Sequence, residues 1–202
     1  MKNPTRGHGL LEGHLARRRA RVANRLIPDS LREGSLLDIG CGTRPAFLLN
    51  TRFSEKVGID RCDSAVSDAF LEKARIRRLH HDIEAEPRLP FPEARFSAIT
   101  CLSVLEHLTP STVPGLISEA RRVLKPEGFF ICITPTPRSD RLLRWLAAIR
   151  LLSSEEIREH KSLYDIPRLE SLLRNAGFRN IASGRFELGL NQWVYGFSPR
   201  PE

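Results

Sequence analysis

The sequence predicts an α/β protein in which short strands alternate with helices around a mostly parallel sheet. Between Ser35 and Val194 the pattern switches repeatedly between short apolar runs and helical periods, with Gly, Pro or Asp at the joints. That is the signature of strands alternating with helices. The runs 96–102 and 129–134 are almost continuously apolar, as expected of central parallel strands covered on both faces. A glycine turn, Gly40-Cys41-Gly42, closes the first apolar run and opens a helix.

Taken in order, the chain begins with a basic helical pattern over 14–27, followed by strands at 35–39, 56–59, 76–80 and 96–102. The segment 112–124 places Leu116, Ile117, Ala120, Val123 and Leu124 on one helical face. Ser111 is its expected cap, and Lys125-Pro126-Glu127-Gly128 its stop. After the strand at 129–134 comes an amphipathic stretch over 138–152, with Leu142, Leu146 and Ile149 in one stripe, Leu143 and Trp145 beside it, and Arg138, Arg141, Arg144 and Arg150 around it. A helix over 166–176 has Asp165 to cap it and Gly177 to end it. Segments 180–186 and 191–197 then form an antiparallel hairpin across Leu188-Gly189-Leu190.

Composition bounds the rest. The 202 residues suit one domain, with 1–30 as a basic helical segment and 136–163 as an insertion. Hydrophobic residues make up 41% and charged residues 28%, and no apolar run approaches the ~20 residues of a membrane span. The basic start has no apolar run or small-residue cleavage site of the secretory kind, so a cytoplasmic location is expected. Cys41, Cys62, Cys101 and Cys132 lie far apart and read as reduced thiols. The net charge of +8 suits an anionic partner without choosing among nucleic acid, phospholipid and a phosphorylated small molecule. Arg17, Arg18, Arg19, Arg21 and Arg25 read as a solvated helix face over the site entrance rather than a polyanion site.

The chemistry sits in Leu36-Leu37-Asp38-Ile39-Gly40-Cys41-Gly42-Thr43. Glycines there allow a tight turn and leave a ligand room against backbone N–H groups. Asp60 ends the second strand 22 residues after Asp38, near the spacing at which an acid grips a ribose diol. The third glycine of a dinucleotide loop is replaced by Pro45, and Asp38 stands where a ligand ammonium would welcome it. Both features suit an adenosyl amino acid better than a nicotinamide dinucleotide. His80-His81-Asp82 does not make a metal site, since adjacent strand residues point to opposite faces; no metal is expected.

Read together, LLDIGCGT (36–43), VGID (57–60), HDIE (81–84), LPFPEARFSAITCLSVLEHL (89–108), EARRVLKPEGFFICITP (119–135) and LLRNAGF (172–178) resemble the class I S-adenosylmethionine-dependent methyltransferases. The likeness is to methyltransferase type 11, the group related to the ubiquinone and menaquinone enzymes, and covers roughly 35–180; Arg44 stands where that family usually has glycine. The resemblance implies a Rossmann-like, seven-stranded, mostly parallel sheet with helices on both faces, and S-adenosyl-L-methionine as cofactor. It implies that Gly40, Cys41 and Gly42 lie on the amino acid part and Asp38 on its ammonium. Asp60 would take the ribose hydroxyls, Arg61 flank the adenine, Asp82 accept from its exocyclic amine, and Ile83 donate to a ring nitrogen. Leu102 and Ser103 would offer a carbonyl to the ammonium.

Methyl transfer to a hydroxyl also asks for a base. His107 and His160 are the candidates, with Tyr164 orienting the acceptor. The expected acceptor is a small molecule, methylated on oxygen and glycosyl, lipid-linked or otherwise amphiphilic, because the basic stripe over 138–152 could roof a pocket or rest on an anionic membrane. Two other readings stand beside it: a cofactor-binding partner protein without turnover, and a nucleic-acid methyltransferase. Against the latter, Cys101-Leu102-Ser103-Val104 carries no Asn-Pro-Pro-Tyr type motif.

Overall fold

The structure, a computed structural model, describes residues 12–139 and 162–200. His160 and nearly all of the stripe over 138–152 lie outside the described residues. Helices α1 (Glu12–Leu26), α2 (Ala46–Leu49), α3 (Asp68–Lys73), α4 (Thr112–Val123) and α5 (Ile166–Asn175) surround one sheet. Its strands are β1 (Ser35–Ile39), β2 (Glu55–Asp60), β3 (Ile76–His80), β4 (Phe96–Leu102), β5 (Leu124–Pro135), β6 (Arg179–Phe186) and β7 (Asn191–Phe197).

The strand order is β3-β2-β1-β4-β5-β7-β6. The first five strands are mutually parallel, and β7 runs antiparallel to both its neighbours. The chain steps outward from β1 to β3 and then returns to the other side of β1 with β4. That reversal opens a crevice at the carboxyl ends of β1 and β4, where α/β sheets bind ligands.

Period-two alternation divides the core. Leu37, Ile39, Val57, Ile59, Ile99 and Phe130 pack on one side with Val113, Leu116, Ile117, Ala120 and Val123 of α4 and Leu169 and Leu173 of α5. Leu36, Ala98, Phe129, Ile131 and Ile133 face the other side, against Ala23 of α1, Phe47 and Leu48 of α2, and Leu71 of α3. Helices therefore cover both faces, as the unbroken apolar character of β4 and β5 requires. Among the described residues no helix is long and apolar enough to cross a membrane, and all four cysteines are free.

Local chemistry shifts some boundaries. Asp165 caps α5 by accepting from the Arg168 N–H at 3.0 Å, and Gly177 follows the helix with φ +86°. Ser111 does not cap α4: it is already in helical conformation, and the turn is closed by Thr109, whose carbonyl accepts from the Thr112 N–H at 3.0 Å. Leu124 belongs to β5 rather than to the helix, pairing with Phe96 before the ladder slips to Ala98 and Phe129. Glu127, in the intervening bulge, has φ +59°. Arg122 forks onto Glu119 and also donates to the carbonyls of Phe91 and Leu89, tying α4 to the loop before β4.

Gly58 shows how closely β2 meets the loop after β1. A Cβ there would stand 2.7 Å from Cys41 Sγ and 2.9 Å from Leu48 Cδ1, whereas one at Gly115, exposed on α4, would meet nothing within 4 Å. Gly58→Ala is expected to destabilise the protein by about 1–3 kcal/mol through overpacking. Gly115→Ala should stabilise it by about 0.5–1 kcal/mol through helix propensity. Urea denaturation of the two variants against the parent checks both signs.

Candidate active site

The loop after β1 is shaped by its glycines. Gly40 and Gly42 have φ +70° and +76°, in the left-handed region that side chains disfavour. A Cβ on Gly40 would collide with Val104 Cγ2 at 2.2 Å, so this loop closes directly on the chain leaving β4. The Gly40 and Cys41 N–H groups donate to the Ile59 carbonyl at 2.9 and 3.1 Å, carrying the β1–β2 pairing into the loop. One step on, the Gly42 N–H donates to Asp60 Oδ2 at 2.8 Å. Asp60 Oδ1 accepts from the Cys62 N–H at 2.9 Å.

Asp38 lies beneath this loop, 3% exposed, and accepts from the Thr100 hydroxyl at 2.6 Å across the β1–β4 pair. Burial pushes its carboxyl up to about 7, against the Thr100 hydrogen bond and with a further push from Asp60. The neighbouring Cys41 thiol is pushed up to about 12, first by burial and then by Asp38, so it is not a thiolate nucleophile at neutral pH. Beyond β3, Asp82 Oδ1 accepts from the Glu84 N–H at 3.0 Å and its carbonyl from the Glu86 N–H at 2.8 Å. Beyond β4, the Ser103 N–H donates to the Ile133 carbonyl at 2.8 Å while Ser103 adopts φ +58°; a short 3-10 turn, Leu105–His107, follows.

These strand ends enclose a cavity of about 260 Å³. Asp38, Gly40, Cys41, Gly42, Asp60 and Arg61 line it from β1 and β2, Asp82 and Ile83 from beyond β3, and Leu102, Ser103 and His107 from beyond β4. Tyr164, by contrast, is not on its wall. Its ring is 1% exposed within the core, under the Arg168 guanidinium at 4.9 Å, and its carbonyl accepts from Gln192 Nε2. Its hydroxyl is buried without a hydrogen-bond partner among the described residues. The wall also carries residues to which the sequence assigned no part in the site, among them Ala16 and Ala20 of α1, His81, Glu84 and Leu108, with Arg19 beside the two alanines. The small residues at Ala16 and Ala20, one helical turn apart with Arg19 beside them, are a sequence signal for that face of α1. Among the described residues no group of three or more His, Cys, Asp or Glu side chains converges as a metal site would.

A family model described as a methyltransferase domain matches residues 11–183. The chain belongs to the methyltransferase domain family. Demethylmenaquinone methyltransferase of Symbiobacterium thermophilum is 27% identical over 181 residues, covering 71% of this chain and 67% of that protein. Ubiquinone biosynthesis O-methyltransferase of Alkalilimnicola ehrlichii is 33% identical over 107 residues, 49% of this chain and 40% of that one. The fold is shared with phosphoethanolamine N-methyltransferase 2 of Haemonchus contortus, solved with S-adenosyl-L-methionine. There the TM-score is 0.66 at 16% identity, over 91% of this chain and 53% of the other. The protein is an S-adenosylmethionine-dependent methyltransferase.

The cavity of this methyltransferase fits that cofactor. Among the described residues Asp38 is bonded by a hydroxyl and not by a cation, so an ammonium placed beside it would favour its ionised form. A Cβ placed on Gly42 comes no nearer to other atoms than 3.9 Å, which leaves open space beside the backbone. Asp60 and Asp82 have oxygens to offer to hydroxyl and amine donors.

Because the folded cofactor-free protein holds the Asp38 proton up to about pH 7, whereas the unfolded chain releases it near 3.8, this group's contribution to stability is fullest below pH 4, where it is neutral in both states. This contribution is lost as pH rises to about 7. Asp38→Asn should remove that part of the slope, measured as the difference in urea midpoint between pH 5 and pH 8 for the two proteins.

Proposed function

We propose that this methyltransferase methylates an oxygen of a small amphiphilic acceptor, a glycosyl or lipid-linked metabolite, in the cavity at the ends of β1, β2 and β4. The observation that carries the cofactor half is the convergence of Asp38, Asp60 and Asp82 from successive strand ends on one cavity. In this reading Asp60, held by the Gly42 and Cys62 N–H groups, receives the ribose hydroxyls. Asp82 accepts from the adenine amine, the Ile83 N–H meets a ring nitrogen, and Arg61 flanks the base. Asp38, with a carbonyl of Leu102 or Ser103, takes the ammonium against the backbone of Gly40, Cys41 and Gly42.

The cofactor, when bound, supplies a methyl group on a positively charged sulfur. The chain's task is then to hold the acceptor in line and exclude water, which supplies much of the acceleration. His107, on the cavity wall just beyond Ser103, takes the acceptor hydroxyl's proton. His160 is a second candidate base from the lid segment 136–163. Oxygen as the target is supported by the O-methyltransferase among the relatives, and an acceptor with an apolar body by the names demethylmenaquinone and ubiquinone. Contact with an anionic membrane surface is supported by α1: Arg17, Arg18, Arg21 and Arg25 are exposed on the side away from Ala16, Arg19 and Ala20.

Calorimetry tests the cofactor half. Asp60→Ala is expected to weaken S-adenosylhomocysteine binding by about 1.5–3 kcal/mol, the worth of charge-assisted hydrogen bonds, and Asp60→Asn by less. Incubation with S-adenosylmethionine and lipid and glycolipid fractions, followed by mass spectrometry, tests the acceptor; a 14 Da gain confined to free polar metabolites would refute it. For the membrane half, the parent should co-sediment with anionic vesicles at low salt and be released as salt rises. Release should be easier for Arg17→Glu/Arg21→Glu and for Trp145→Ser/Leu146→Ser, and a parent that stays in the supernatant at low salt would end this part of the proposal.

A further inference from the structure

Among the described residues two large apolar side chains are left exposed, Phe70 at 47% and Leu188 at 104% of full exposure. Leu188 stands at the tip of the β6–β7 hairpin, in the 3-10 turn Glu187–Gly189. Its exposure is not the slack of a loose loop, because the turn is tied down. The Thr136 N–H donates to the Leu190 carbonyl at 2.9 Å, and the Thr136 hydroxyl to the Gly189 carbonyl at 2.8 Å. Glu187 accepts from the Asn191 side chain and pairs with Arg18 Nε of α1 at 3.4 Å. The backbone is also held against preference, with Glu187 and Leu188 at φ +53° and +56°, where glycine and asparagine are best tolerated. A fixed turn thus presents one bare leucine to the outside.

The surroundings of this leucine are basic. Arg18 meets the turn from α1, Arg185 is exposed on β6, and Arg138 is exposed just beyond Thr136. Glu187 is the single acid between residues 176 and 200, and its carboxylate is already engaged. The tip also stands on the cavity's side of the sheet. Thr136 follows the carboxyl end of β5, and Arg19, next to Arg18 in α1, lines the cavity.

We propose that this tip is the anchor by which the protein seats on an anionic lipid bilayer, Leu188 entering the apolar layer while Arg18, Arg138 and Arg185 meet headgroup phosphates. The inference rests on the membrane half of the function proposed above and supplies its apolar component. Basic charge alone holds a protein to an anionic surface only while salt is low, and one side chain alone buries little area; the two signals together bind. A bilayer suits so small an apolar point, since a protein partner would need a far larger complementary face than one leucine offers. Docked in this way, the molecule holds the cavity's edge of the sheet toward the lipid, which gives an amphiphilic acceptor a short path from the interface.

Co-sedimentation of the intact chain with vesicles of equimolar phosphatidylglycerol and phosphatidylcholine, over a salt series, tests the anchor. Leu188→Asn removes the apolar group but keeps a residue that tolerates the left-handed backbone, so folding is not at stake. It should weaken binding about tenfold, the share of one buried leucine, and by the same factor at every salt concentration where the parent still binds. Leu188→Trp should strengthen binding. Arg185→Gln should weaken it by a factor that shrinks as salt rises. If Leu188→Asn and Leu188→Trp sediment with vesicles as the parent does, the anchor is refuted while the membrane reading that rests on α1 stands. A parent that stays in the supernatant at low salt overturns both. Sedimentation velocity without lipid supplies one more way to fail: a parent dimer that Leu188→Asn dissolves would make the tip a contact between copies and overturn the lipid assignment.

Discussion

The hydrogen bond from the Gly42 N–H to the Asp60 carboxylate is the constraint around which the site is assembled. It joins the loop after β1 to the last residue of β2, and it can form only because Gly42 takes a backbone conformation closed to most residues. With Cys62 donating to the other oxygen, the carboxylate is fixed before any ligand arrives. A ligand gripping Asp60 therefore spends little on ordering it. The same loop is held from the far side by Val104 against Gly40, so β4 takes part in placing it as well.

Two unfavourable features lie at this point. Asp38 is a buried acid whose hydrogen bond, among the described residues, comes from a hydroxyl, and Ser103 holds a positive φ at the tip of β4. Each is disfavoured alone, and each is kept in place by a sheet whose central strands are covered on both faces by apolar side chains. Such concentration of strain and desolvation at a cavity is what a rigid scaffold allows and a ligand relieves. Stability and binding are coupled here through the same few residues.

Much of this was legible in the chain. The glycine turn, the acid 22 residues after Asp38 and the apolar runs of β4 and β5 are local signals whose meaning does not depend on distant partners, and they placed the strands and residues that line one cavity. Strand alternation likewise sent His80 and His81 to opposite environments. What sequence could not convey was tertiary. The small residues Ala16 and Ala20 mark a face of α1, but not which strand ends that face, with Arg19, meets at the cavity. Tyr164 reads as a polar ring near an acceptor, and its burial under Arg168 at the start of α5 is a tertiary fact that no local pattern announces. Ser111 has a capping side chain, but its own helical conformation took that role from it.

The hairpin at the far edge of the sheet carries a consequence for the order of assembly. β7 lies between β5 and β6, so β6 precedes β7 in the chain yet reaches the sheet only through it. During synthesis the finished edge of β5 must wait, its backbone donors and acceptors open, until residues 191–197 have emerged from the ribosome. An open edge is a template for the wrong strand, from this chain or a neighbour. The cavity's own strands are complete well before that moment. This protein is thus expected to pass through a nascent form with its cofactor elements formed and its sheet still unfinished, in which the final strand acts as the latch.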